Sequence, residues 1–158
     1  KGVNMKDLSN NIATAVSLKS AVRSAAANGT GVDLQGYESA VAILSCGGEG
    51  DTLSSSVYFE VSLEHSDDDS TYTDCAQADI ADGTISAGGI WLKLDGTANG
   101  NPDSAGEIYR VGYRGGKRYI RMVLAKTGTH SNGTPMSGFI IKGHARSSGD
   151  NATTAHDA

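Results

Sequence analysis

The sequence predicts an all-β protein: a single-domain antiparallel β-sandwich or jelly-roll-like barrel with an irregular N-terminal arm. Three observations carry this expectation. Short apolar stretches alternate with polar residues at period two, the period of a strand with one wet face. Clusters of Gly, Asn, Asp and Ser separate them, with 21 glycines and only 2 prolines among 158 residues, the punctuation of a chain that reverses often. There is no internal repeat, coiled-coil heptad or βαβ alternation, so packing sheet on sheet is what buries these faces. The length suits one domain. It divides into an arm with the first strand (1–30), a β-sandwich (31–146) and a flexible polar tail (147–158).

The first thirty residues support two periodicities. Leu8, Ile12, Ala15, Val22 and Ala26 suit a helical face, while Val16, Leu18, Ser20 and Val22 suit a strand with Ser17, Lys19 and Arg23 opposite. The reading preferred is an irregular arm feeding a strand. Glu38–Cys46 is rich in strand formers, and Ser56–Glu64 alternates cleanly, with Val57, Phe59, Val61 and Leu63 on one face. Turn chemistry at Gly47–Thr52 between them predicts an antiparallel pair with a long loop. Glu64–Tyr72 is too polar for a core and reads as a turn, and Ile90–Leu94 is a short strand before the exposed loop Asp95–Ser104. Glu107–Tyr113 and Arg118–Ala125 flank Arg114-Gly-Gly-Lys117, which predicts a hairpin whose glycines take positive φ and whose Ile120, Met122 and Leu124 face the core. A last strand, Met136–His144, follows the turn Ser131–Pro135.

Charge is distributed unevenly about a net of −5. Between Glu49 and Asp82 every charged residue is acidic, whereas Glu107–Lys126 holds Arg110, Arg114, Lys117, Arg118, Arg121 and Lys126 against Glu107 alone. Opposite patches of this kind favour one docking register, either with a partner or with a second copy. They equally describe two solvated strand faces. A net acidic chain makes a poor nucleic-acid binder. No window reaches the roughly 20 apolar residues of a membrane helix, and the polar first residues lack a signal-peptide core, so neither nucleic acid nor membrane is an expected partner.

Candidate chemistry is sparse. Cys46 and Cys75 match neither a zinc spacing nor a disulfide framework and read as free, buried thiols, with one disulfide as the alternative in an oxidising compartment. Asp67, Asp68, Asp69 and Asp74 suggest a calcium loop, but Tyr72 and Ala78 stand where the EF-hand pattern needs Gly and Glu. His65, His130, His144 and His156 show no paired ligand spacing, so no metal and no cofactor is expected. Nucleophile-elbow, P-loop and dinucleotide motifs are missing, and the expectation is a protein that is not an enzyme. Tyr109, Arg110, Tyr113, Arg114, Lys117, Arg118, Tyr119 and Arg121 are the candidate interface, because interfaces enrich Tyr and Arg at their energetic centres. The competing reading is the solvated face of a hairpin.

Several stretches resemble small structural proteins of tailed-bacteriophage heads. They are Val32-Asp-Leu-Gln-Gly-Tyr-Glu-Ser-Ala40, Leu63–Asp74, Arg110-Val-Gly-Tyr-Arg-Gly-Gly-Lys-Arg-Tyr-Ile-Arg121 and Gly143-His144, in an order and spacing that cover about residues 30–146. The resemblance implies a non-enzymatic capsid decoration, or cement, protein on the capsid exterior, assembled in the bacterial cytoplasm. Its implied partners are the major capsid protein and itself, as a dimer or trimer at a capsid symmetry axis. It marks Gly36, Tyr37, Tyr113, Gly115, Lys117, Arg118 and Tyr119, and adds Tyr37 to the candidate interface. The alternatives are a head-tail connector or tail component, and a secreted carbohydrate-binding β-sandwich that stacks sugars on an exposed Trp91.

Overall fold

Alternation decides which way each strand faces, and the faces then decide the layers. A computed structural model describes residues 8–97, 100–102 and 106–146. The arm residues 1–7 and the tail 147–158 lie outside the described residues. The described chain is all-β, with ten strands: β1 (Ile12–Arg23), β2 (Ala27–Asn28), β3 (Val32–Asp33), β4 (Tyr37–Cys46), β5 (Tyr58–Ser66), β6 (Thr73–Asp74), β7 (Ile90–Leu94), β8 (Glu107–Tyr113), β9 (Tyr119–Thr127) and β10 (Thr134–Ala145). One antiparallel sheet has the order β1-β10-β4-β8. In the other, β5 and β9 pair centrally, β2 and β3 lie along the far side of β9, and β6 and β7 along the far side of β5. Among the described residues no helix is long and apolar enough to cross a membrane.

The core is what the period-two pattern predicts. Phe59, Val61 and Leu63 of β5 and Ile120, Met122 and Leu124 of β9 are buried, and they meet Ala42 and Leu44 of β4, Ile140 of β10 and Leu18 of β1 across the sandwich. Gly138 lets the sheets approach: a Cβ there would lie 3.1 Å from the Leu18 Cβ and closer still to the end of Met122.

Pairing differs from the sequence expectation in two places. Residues 38–46 and 56–64 do not pair with each other, because β4 lies between β10 and β8 while β5 lies in the opposite sheet against β9. The stretch 107–125 is not a hairpin either. β8 pairs with β4 and β9 with β5, so Arg114–Arg118 arches from one sheet to the other. Neither Gly115 nor Gly116 has positive φ. Gly115 serves another purpose: a Cβ there would stand 2.5–2.6 Å from the ring and hydroxyl of Tyr113, which folds beneath the arch.

β1 also departs from simple alternation. Register shifts between Val16 and Leu18 and between Leu18 and Ala21 turn Ser17 and Leu18 inward together and leave Val16 and Val22 outside. The edge strand β8 is covered by the segment after the 3₁₀ turn Gln77–Asp79. The Ala81 amide donates to the Gly112 carbonyl (2.9 Å), the Arg114 amide to the Asp79 carbonyl (2.8 Å), and the Gly112 amide to Asp82 Oδ1 (2.6 Å).

One carboxylate ties two surface loops together through backbone amides. Asp51 accepts from the amides of Ser131, Asn132 and Gly133 at 2.7–3.0 Å, joining the loop after β4 to the turn before β10. Those bonds, the Asn132 amide first, keep its carboxyl below the usual range. A depressed folded pKa contributes stability above the unfolded value near 3.8, and that contribution disappears as pH falls through the folded value. Asp51→Asn is therefore expected to lower the urea midpoint near neutral pH and to shrink the loss on acidification below about pH 4. Equal acid sensitivity of the two proteins refutes the assignment.

Candidate functional site

At the end of the sandwich where β4 begins, β8 ends and β9 begins, a groove of about 670 Å³ opens. It is lined by the turn Leu34–Tyr37, the β8–β9 arch, Asp67 and Arg146. Gly36 makes the turn: the Tyr37 amide donates to the Leu34 carbonyl at 3.0 Å, and the third residue of this turn takes φ +89°, which favours glycine. Five of the nine candidate interface residues, Tyr37, Tyr113, Arg114, Lys117 and Arg118, line this groove.

The two tyrosines are supports. Tyr113 is 5% exposed; its hydroxyl accepts from the Lys117 amide (3.2 Å) and contacts His65 Nδ1 (3.1 Å), and burial above all pushes the phenol up to about 12. Tyr37 is buried beneath Lys142, whose Nζ lies 4.5 Å from the ring centroid and donates to the Asp33 carbonyl at 3.0 Å. Burial lowers the Lys142 pKa.

The cations are mostly paired within the chain. Lys117 Nζ lies 2.6 Å from Asp67 Oδ2, and Arg118 donates from Nε (3.0 Å) and Nη2 (2.6 Å) to the two oxygens of Asp33, a fork-to-fork geometry that lowers the Asp33 pKa and raises that of Arg118. Arg146 lies 3.6 Å from Glu38. Arg114 differs: its Nε donates to the Ala78 carbonyl (3.0 Å), and it has no carboxylate partner among the described residues.

The remaining candidates lie elsewhere. Arg121 and Tyr119 sit on β9, where Arg121 meets Glu64 of β5 at 2.7 Å and stacks 3.9 Å from the centroid of Tyr72. Tyr109 is half-buried on β8 with its hydroxyl on Glu107, and Arg110 is exposed on the same strand. The acidic and basic blocks thus meet inside one molecule, through Glu64–Arg121 and Asp67–Lys117. Pairing them between copies would exchange one set of ion pairs for another, which weakens the charge argument for self-association.

Other expected features find structural uses. Asp68 accepts from the amides of Ser70 and Thr71 and from the Ser66 hydroxyl, bonds that hold its pKa at about 2, while Asp69 takes the Tyr72 hydroxyl. The acidic turn is therefore bound to itself. Trp91 is half-buried and packs against the core, with its indole nitrogen enclosed and unpartnered, so it does not offer the exposed stacking face that sugar binding requires. Cys46 and Cys75 are free and buried. Sequence reasoning missed Asp33, Lys142 and Arg146 at the groove, and also a second cluster, His65, Cys75 and Asp79, whose donor atoms lie within 4.8 Å of one another.

Comparison with protein-family models, curated proteins and solved structures found no match. The functional reading therefore rests on the residues and their arrangement.

Proposed function

We propose that this protein is a non-enzymatic virion component that binds the outer surface of a tailed-phage capsid, with the major capsid protein as its partner, and stabilises the shell. One observation carries the reading. Six of the seven residues that mark the resemblance, Gly36, Tyr37, Tyr113, Gly115, Lys117 and Arg118, come from two distant stretches of sequence and line one groove with a braced floor and a charged rim, while the seventh, Tyr119, lies outside it on β9. Buried Tyr113 braces the arch through its hydroxyl, which takes the Lys117 amide, and a braced surface loses little conformational entropy on docking. Arg114 is the cation this platform offers outward.

The connectivity is compatible with the role. Apart from the β2–β3 and β5–β6–β7 connections, each link carries the chain from one sheet to the other, which supports reading the sandwich as jelly-roll-like. That architecture serves capsid proteins and lectins alike, so it supports a virion role without specifying one. Many copies, each docked weakly, would act together on a shell through linked binding.

The test has two arms. Quantitative mass spectrometry of purified particles should give hundreds of copies in fixed ratio to the shell protein; a dozen or so would indicate a connector or tail ring, and absence would overturn the proposal. Arg114→Glu should weaken binding to undecorated capsids by about tenfold or more while leaving the urea midpoint unchanged, because the side chain is exposed. Undiminished decoration by Arg114→Glu combined with Lys117→Glu would remove the groove from the interface.

A further inference from the structure

We infer that His65, Cys75 and Asp79 form a divalent transition-metal site, with zinc the ion it fits best. The topology assembles the cluster. His65 lies near the end of β5; β6 pairs back on β5 with His65 opposite Thr73, which returns the chain so that Cys75 follows two residues later, and the 3₁₀ turn Gln77–Asp79 brings in the carboxylate. The backbone pins this return, with the Cys75 amide donating to the Leu63 carbonyl at 2.9 Å. His65 and Cys75 are buried, and Asp79 is partly so.

Three features fit a metal better than a structural triad. A thiol, an imidazole and a carboxylate are the three zinc-binding side-chain types, and their donor atoms all lie within 4.8 Å of one another. Tetrahedral zinc, with bonds of ~2.0–2.3 Å, needs donors ~3.3–3.8 Å apart, so small side-chain rotations close the shell. The charges balance: one thiolate and one carboxylate neutralise a divalent cation, which suits a buried position. The 3.1 Å contact between His65 Nδ1 and the Tyr113 hydroxyl engages one ring nitrogen, and metal-bound histidines are commonly oriented by a neighbour on the ring nitrogen that does not bind the metal. Among the described residues Asp79 accepts through Oδ2 alone, from the Ala76 amide, which leaves Oδ1 for a cation. The fourth position falls to water.

The surroundings agree. The carboxylates of Asp79, Asp74 and Glu64 act on the Cys75 position, so a cation there relieves a concentration of negative charge. Lys117, whose charge acts on His65, is taken up by Asp67. The site would tie β5 and β6 to the segment that covers the β8 edge. Since Tyr113 also supports the groove arch, metal binding would stiffen the platform from below. The inference stands without the capsid reading, because it concerns only this chain and an ion.

The test is titration of the full-length, metal-free protein with Zn²⁺ and, separately, Co²⁺. One Zn²⁺ per chain should bind and raise the Tm, and Co²⁺ should produce the near-ultraviolet absorption of a thiolate ligand together with the intense visible bands of a tetrahedral ion. Cys46→Ser should retain all of this. Cys75→Ser should lose the thiolate band, and Cys75→Ser and Asp79→Asn should each lower Zn²⁺ affinity by tenfold or more. Unchanged Zn²⁺ affinity in Cys75→Ser, or Co²⁺ spectra of the unmodified chain without a thiolate band, would overturn the proposal. The spectra decide the matter even where a substitution prevents folding.

Discussion

Phe59→Ala is expected to cost about 3–5 kcal/mol of folding free energy, the largest loss among single substitutions considered for this chain. Phe59 is fully buried near the start of β5, with Leu94 of β7 beside it on one side and Lys126 of β9 on the other. Its ring lies 4.0 Å from that of His130, tilted by 33°. His130 is itself buried, its Nε2 on the Thr127 carbonyl and its Nδ1 unpartnered. Truncation removes the ring's apolar area from the core and deprives the imidazole of its apolar cover. Both penalties act together, because strands on each side fix the backbone and the space cannot collapse. For a domain of this size the Tm should fall by roughly 10 °C or more. Phe59→Leu, which keeps most of the volume, should lose only about 1–1.5 kcal/mol. Urea melts with unchanged m-values measure both. A loss below about 1.5 kcal/mol for Phe59→Ala would mean that His130 and its loop move in to fill the space.

How much of this architecture could be read in advance depends on what each signal encodes. The burial parity of β5 and β9 was legible because their apolar residues alternate without interruption: Phe59, Val61 and Leu63, then Ile120, Met122 and Leu124. Partner choice was not. Arg114-Gly-Gly-Lys117 has the composition of a tight hairpin, and the same glycines serve an arch between sheets; only the position of Tyr113 under Gly115 distinguishes them, and that contact belongs to the tertiary structure. The groove was half legible for a similar reason. Tyr113, Arg114, Lys117 and Arg118 fall within six residues and are chemically conspicuous, whereas Asp67 and Arg146 line the groove, and Asp33 and Lys142 brace its residues, from three other parts of the chain. Opposite charge in the blocks around Asp67 and Lys117 hinted at one of those contacts, but not that it would form within one molecule. The spacing that unites His65, Cys75 and Asp79 follows no recognised ligand pattern. It becomes meaningful only once β6 folds back on β5.

Ser17 shows the same limit and provides the second large effect. Alternation assigns it to the outer face of β1, yet it is 1% exposed, because the register shift after Val16 turns it inward. What draws it there is a gap in the opposite sheet. β2 pairs with β9 at Leu124 and β3 at Ile120, and between them no strand residue meets the Met122 amide. The Ser17 hydroxyl accepts that amide at 2.9 Å and donates to the Thr30 carbonyl at 3.1 Å, while the Gly29 amide takes the Met122 carbonyl at 2.8 Å. One hydroxyl from the first sheet thus completes the ladder of the second. Ser17→Ala deletes the acceptor and leaves the Met122 N–H buried without a partner, at a cost of about 1–3 kcal/mol. The Thr30 carbonyl adds little, since Thr30 is exposed and water can replace its donor. The effect should be local as well as global. Hydrogen exchange at the Met122 amide should quicken by more than the overall loss of stability accounts for, while the Ile120 and Leu124 amides follow the global change alone. Exchange at Met122 that merely tracks its neighbours would show that the strands close over the gap without the hydroxyl, and that the β1 bulge is held by Leu18 packing instead.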